Sequence, residues 1–300
     1  MLLTSIIIAT HNRPHLLRRA VESAFLAGTD VEVIVVDDAS TDETAAVCRD
    51  LAGIKYVRVE RNQGVAGARN LGLLISTGEY ITFLDDDDVR LPGSIDRQIN
   101  LLQADSEAGL IYGQARLIDQ NGKPTNQHYP HACPRGDVLW ELLGQNFIPC
   151  GSAVFRRSCL DRVGLLDQSL AGLDDWDLWV RIAELYSIIA LEEPVMCWRQ
   201  STPASQQGTS AAAQIVLRSA QQFQESWKNL PRVLSASHEM KRRAWRRFSA
   251  NMNAHLFYEV LRALRHRRLL QATKNLFALV RQGPVGMLRL LLIKDAHCSL

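Results

Sequence analysis

The sequence predicts an α/β fold: a doubly wound, mainly parallel sheet flanked by helices, followed by a C-terminal helical extension. Three observations carry this. Over residues 1–120 short apolar runs alternate with amphipathic stretches, the β–α–β order from which parallel sheets are built. Runs such as Ile6-Ile7-Ile8 and Val33-Ile34-Val35-Val36 are apolar without alternation, as strands covered on both faces must be. From about residue 215 the apolar residues recur at spacings of three and four, the helical period.

The elements follow in order. Strands are expected at residues 5–10, 31–37, 55–60, 79–84 and 109–118, with helices at 14–27, 41–51, 65–76 and 92–103 between them. The first residues lack a charged leader region and run into polar His11-Asn12-Arg13, so they read as a first strand, not a signal peptide. Asn121-Gly122 marks a turn, 137–144 a short helix and 150–156 a strand. Residues 173–185 place apolar side chains at 176, 179, 180, 182 and 183 on one helical face, and 187–191 with 194–199 read as a closing strand and its exit. The Gln-, Ser-, Thr- and Ala-rich stretch 200–214 has the composition of a mobile loop. Trp245, Phe248, Met252, Leu256, Val260 and Leu264 then form one helical stripe, and 269–280 a second amphipathic segment that Gly283-Pro284 breaks before 287–293.

Composition narrows the class. With 47% hydrophobic and 22% charged residues the chain is an ordinary globular protein, and its net charge of +2 conceals an asymmetry. Residues 231–300 carry 14 Lys and Arg against 3 acids, while the rest carries 20 against 29. A basic part of this kind suits an anionic membrane surface or packing on the acidic part of the same chain, and a nucleic acid less well. Six scattered cysteines without a C-x-x-C pair read as small buried residues of a reducing compartment. No run of about 18 apolar residues occurs. The expected location is cytoplasmic, with peripheral contact to the inner face of the cell membrane.

In a doubly wound sheet, ligands bind beyond the carboxyl ends of the strands. Thr10, His11, Asn12 and Arg13 follow strand one, Asp37 and Asp38 strand two, and Asp85-Asp86-Asp87-Asp88 strand four. Four adjacent carboxylates at the end of a buried strand repel one another unless a cation sits among them, which points to a divalent ion shared with a phosphate-bearing substrate. The competing reading is a solvated loop in which Asp87 or Asp88 caps the helix expected at Leu91-Pro92.

Five blocks in order now stand out: residues 5–12 (SIIIATHN), 35–42 (VVDDASTD), 62–72 (NQGVAGARNLG), 78–88 (GEYITFLDDDD) and 172–179 (GLDDWDLW). Over about residues 4–200 the chain thereby resembles the family 2 glycosyltransferases of the GT-A fold. The resemblance implies an inverting, metal-dependent, non-processive transfer of a sugar from a nucleotide-diphosphate-sugar, a UDP-sugar above all, to a hydroxyl of a glycan or lipid-linked acceptor in bacterial surface polysaccharide synthesis. The cofactor it implies is Mn²⁺ or Mg²⁺. It assigns Asp87 and Asp85 to the metal, Asp85 or Asp86 to the ribose, Asp38 to the nucleobase N–H, and Thr10, His11, Asn12, Arg69 and Arg199 to the nucleotide and diphosphate. It makes Asp175 the general base of an Asp174-Asp175 pair where the family usually has Glu-Asp, with Asp174 a rival and both open to a plain helix-capping role. Asp174 and Trp176 fall on the acceptor side; Trp179 suits core packing better. The Q-x-x-R-W motif of processive members is absent. Residues 1–214 then form the transferase domain, with 1–120 its nucleotide half and 121–214 its acceptor half and loop, and 215–300 the basic extension. A non-catalytic nucleotide-sugar-binding module is the alternative. A nucleotidyltransferase is disfavoured, because strand one lacks a glycine-rich loop and residues 62–68 lack the Lys-Ser/Thr of a phosphate loop.

Overall fold

The structure is a computed structural model that describes residues 4–119, 121–199, 212–265 and 267–282. These fall into two compact units, one within residues 1–138 and 147–205, the other within 139–146 and 206–300.

The first unit opens with β1 (Thr4–Thr10), α1 (Pro14–Leu26), β2 (Val31–Asp37), α2 (Thr44–Asp50), β3 (Ile54–Arg58), α3 (Gly64–Ile75) and β4 (Tyr80–Asp85). It continues through β5 (Val89–Arg90), α4 (Ser94–Ala104), β6 (Ala108–Ile118) and β7 (Pro124–Tyr129). After α5 (Leu139–Leu142), which belongs to the second unit, come β8 (Val154–Arg156), α6 (Leu160–Val163), α7 (Asp174–Leu185) and β9 (Ser187–Arg199). One sheet runs in the order β3-β2-β1-β4-β8-β6-β9-β5, with β7 on β6.

β3, β2, β1 and β4 are parallel; β1 and β2 carry two-sided apolar runs, while β3, at the sheet edge, exposes Lys55 and Arg58. The other half is mixed: β8 lies antiparallel between β4 and β6, β6 and β9 are parallel, and β5 is antiparallel to β9. The expected strand at 150–156 is shorter, because Cys150–Ser152 form a 3-10 turn before β8. The two closing segments are one strand, β9, whose register against β6 shifts around Pro194.

Alternate residues of β1 face opposite layers. Ile6 and Ile8 pack with Leu17, Val21 and Ala24 of α1 and Ile95 of α4, whereas Ile7 faces α3. There Gly72 brings helix and strand together: a Cβ at that position would overlap Ile7 Cγ2. Register then aligns the functional edge, since Thr10 pairs with Asp37 and the neighbouring Ala9 with Asp85.

The second unit contains α5, α8 (Ala212–Glu225), α9 (Pro231–Ser235), α10 (His238–Arg265) and α11 (Leu269–Gln282). α8, α10 and α11 pack on one another. Phe223, Trp227, Trp245 and Phe248 form their aromatic centre. Phe248, Met252, Leu256 and Val260 are buried as the stripe predicts, but Leu264 is exposed and Ala263 takes the inward place. The loop expected at 200–214 lies outside the described residues over 200–211, while 212–214 open α8; the segment 287–293 also lies outside them. Among the described residues no helix is long and apolar enough to cross a membrane.

Candidate active site

The ends of β1, β2 and β4 build one polar edge. Thr10, buried at the end of β1, donates its hydroxyl to Asp86 Oδ2 at 2.7 Å. His11 is exposed, its Nδ1 2.7 Å from the carbonyl of Asp38. Asn12 turns the chain at φ +54°, a left-handed conformation that Asn tolerates. Its amide donates to Ser40 Oγ, and its Oδ1 accepts the Thr41 amide.

The adjacent acids after β2 divide their tasks. Asp37 faces inward and accepts from the Tyr56 hydroxyl and the Ser40 amide. Asp38, also buried, accepts the Gln63 amide at 2.7 Å, which ties it to the turn that opens α3. Asn62 reinforces that turn by donating to the Asp38 carbonyl.

Beyond β4 the four acids do not spread into solvent. Asp85 is half-buried, and Asp86, Asp87 and Asp88 are buried. Neither Asp87 nor Asp88 caps a helix. The run passes instead into β5, which pairs with β9, and Gly93 at φ +64° provides the turn from which α4 starts at Ser94. Asp88 accepts the Arg199 amide at 2.8 Å, and Arg199 Nε donates to the Asp87 carbonyl at 3.0 Å. Arg13 lies 2.9 Å from Asp86 Oδ1 and 3.6 Å from Asp87 Oδ2.

Asp85, Asp87 and Asp88 each offer a carboxylate oxygen, all within 4.8 Å of one another. Burial first, then the charges of Asp85 and Asp86, push the Asp87 carboxyl up to about 7 against the pull of Arg13. Burial, and then Asp85 and Asp87, push Asp88 well up too. Such a cluster is destabilised by its own charge, and a divalent cation relieves it. Its all-oxygen donor set suits Mg²⁺ or Mn²⁺.

Arg69 connects this edge to the second carboxylate site. From the buried face of α3 its Nη2 reaches Asp85 at 2.6 Å and its Nη1 reaches Asp174 at 2.7 Å, while its guanidinium lies 5.2 Å from the centre of the Phe83 ring. Burial alone penalises that charge, but the surrounding acids outweigh it and hold Arg69 protonated. The next residue, Asn70, uses both ends of its amide on the backbone of Leu166, fixing the approach to α7.

α7 opens directly on the acidic pair. Its cap position is Leu173, so Asp174 and Asp175 are the first two helical residues and neither is the capping side chain. Asp174 is buried and engaged by Arg69. Asp175 is half-buried, and its carboxyl is pushed up to about 7 by burial and then by Asp174, with Arg69 opposing. Trp176 is buried beside it, and Trp179 is wholly enclosed against Phe83 and Phe155.

Three residues escaped the sequence reading of the site. Arg13 stood in the polar exit of β1, but nothing in its spacing marked it as the partner of the acids. Asp88 read as a cap. Cys150 read as inert, yet it is half-buried in the field of Arg69, Asp85, Asp174 and Asp175, with burial raising its thiol well above the ordinary range.

The family model for Glycosyl transferase family 2 matches residues 5–164, more than half of the chain. The chain belongs to that family. It is 38% identical over 188 residues, 61% of its own length and 70% of the other's, to the UDP-Glc:alpha-D-GlcNAc-diphosphoundecaprenol beta-1,3-glucosyltransferase WfaP of Escherichia coli. An uncharacterized glycosyltransferase of Rickettsia prowazekii is 29% identical over 78% of this chain and 73% of its own. One of Rickettsia bellii is 33% identical over 62% of this chain, a match that spans only 28% of that longer protein. The structure of S. aureus TarS 1-349 in complex with UDP-GlcNAc superposes with a TM-score of 0.54 at 15% identity, over 90% of this chain and 89% of that one, a likeness of fold. The fold of the first unit is accordingly GT-A.

Proposed function

We propose that this family 2 glycosyltransferase transfers one sugar per encounter, with inversion, from a nucleotide-diphosphate-sugar to a hydroxyl of a lipid-linked glycan in bacterial surface polysaccharide synthesis. The observation that carries the reading is the Arg69 bridge, which brings the acidic edge at β4 and the carboxylate pair of α7 to one place. The family's donor chemistry and the lipid-linked glycan in the name of the Escherichia coli relative support the substrate classes. The transfer chemistry is assigned to residues 1–214, working at the inner face of the cell membrane.

In this mechanism Asp38 accepts the nucleobase N–H beside the His11 ring, and Thr10 and Asn12 shape the rim around it. Asp86 or Asp85 receives the ribose hydroxyls. Asp87 and Asp85, joined by Asp88, would hold the metal, which when bound stabilises negative charge on the departing diphosphate. Arg199 and Arg13, set against the acidic loop, add positive charge on the diphosphate side.

Asp175 takes the proton of the acceptor hydroxyl as that oxygen attacks the anomeric carbon. The bond from that carbon to the diphosphate oxygen breaks on the opposite face, and its electron pair leaves with the nucleotide. Asp174, neutralised by Arg69, positions the pair and leaves Asp175 to act as base. The acceptor enters from the side of Asp174 and Trp176. Tests with UDP-, GDP- and TDP-sugars should give Mn²⁺- or Mg²⁺-dependent thermal stabilisation with a UDP-sugar, followed by transfer with inverted configuration. No stabilisation by any donor would remove the donor reading, and a retained anomer would remove the role of Asp175.

A further inference from the structure

α11 carries apolar side chains on its outer face as well as its inner one. It turns Ala272, Asn275, Ala278 and Leu279 inward, and presents Leu269, Leu270, Leu276, Phe277 and Val280 to the outside. Leu270 and Phe277 are 71% and 70% exposed. A helix that leaves five large apolar side chains facing outward is covered by something other than water. Arg265, Arg267, Arg268 and Lys274, all exposed, flank this face. Between Glu259 and Asp295 the sequence holds no acidic residue at all.

From this combination we infer that the end of α10 and the outer face of α11 form a docking surface for an anionic lipid bilayer. Large apolar side chains enter the boundary between headgroups and acyl chains, and the arginines and Lys274 pair with lipid phosphates. Charge selects this occupant over a second copy of the chain. Two such faces would bring the same cations together, whereas an anionic bilayer neutralises them. The inference is independent of the transfer reaction, because it concerns where the protein sits and not what it catalyses.

Cosedimentation of the full chain with vesicles of phosphatidylcholine, with and without phosphatidylglycerol, tests it. Binding is expected to need phosphatidylglycerol and to weaken with salt. The Leu270→Ser/Phe277→Ser variant should bind about tenfold less tightly or worse, and Arg267→Glu/Arg268→Glu roughly 25-fold less tightly or worse. Both pairs are exposed, so thermal stability should stay within about 0.5 kcal/mol of the parent. Three outcomes would overturn the inference. One is equal binding to neutral vesicles or by the variants. Another is no binding by the parent together with variants that melt several degrees lower, which would mean that the chain itself covers this face. The third is a concentration-dependent dimer that the variants dissolve while vesicle binding is absent.

Discussion

Replacing Arg69 with Gln removes a cation that touches both carboxylate sites. The two ion pairs contribute unequally. The Asp85 side chain is 33% exposed and can recover hydration, whereas that of Asp174 is 3% exposed and cannot. The loss therefore falls mainly on Asp174, left as a buried charge without its cation, a defect that costs ~3–5 kcal/mol. In a unit of this size that corresponds to a melting point lower by roughly 6–20 °C. Asp174→Asn in the Arg69→Gln background should return part of it, with a coupling energy of about 1–3 kcal/mol in the double-mutant cycle. Arg69→Lys keeps the charge but not the fork, so it should fall between the two. Urea titration of the parent, Arg69→Gln, Asp174→Asn, their double variant and Arg69→Lys at two ionic strengths is the assay. The exposed Arg97–Glu193 pair, whose side chains are 46% and 50% exposed, is the control, and Arg97→Ala should cost less than about 1 kcal/mol. An Arg69→Gln loss no larger than that of Arg97→Ala would refute the bridge as a structural element.

Other outcomes follow from the same geometry. With the Asp175 carboxyl at about 7, kcat/KM should rise tenfold per pH unit below that value and level off above it, because the base acts only when ionised. Arg69 lowers this value, so Arg69→Gln should move the limb to higher pH. Asp175→Asn should abolish transfer while sparing donor binding by calorimetry; unchanged turnover removes Asp175 from the mechanism. Its effect on stability runs the other way. A carboxyl raised on folding weakens the fold as pH rises from the unfolded value through about 7, so the Asn variant should melt above the parent at pH 8, with the gap closing at pH 4. Asp87→Asn and Asp88→Asn should each reduce thermal stabilisation by Mn²⁺ in the presence of UDP, and full stabilisation in both would exclude the cluster as the metal site. Gly72→Ala should cost ~1–3 kcal/mol through the clash with Ile7, read by the urea midpoint.

The parallel half of the sheet was legible because strands covered on both faces carry unbroken apolar runs, as Ile6-Ile7-Ile8 in β1 and Val33-Ile34-Val35-Val36 in β2 do. Their polar exits were legible for the same reason, since a polar residue after such a run marks the strand's end. The mixed half was harder. The strand expected at 150–156 holds only over the three residues of β8, and β5, with two residues, is too short for a period to register and was hidden inside what read as the approach to a helix. That one omission also turned Asp88 into a cap, when pairing of β5 with β9 in fact holds it against the Arg199 amide. The partnership of Arg69 with Asp174 spans 105 positions and leaves no trace in local pattern. Sequence placed Arg69 near the nucleotide; its side chain is taken up by the two acids.

α3 has a consequence for how this protein can change. Arg69 and Asn70, neighbours on that helix, hold Asp174 and the Leu166 backbone, so the acidic end of α7 is moored to the parallel half of the sheet. The loops between β6 and β8, part of the proposed acceptor half, contribute none of these ties. In the proposed reaction, exchanges in the loops between β6 and β8 would alter what is accepted while leaving these ties in place. The fold thus separates the part that must stay still from the part free to vary, and it does so with two adjacent side chains on one helix.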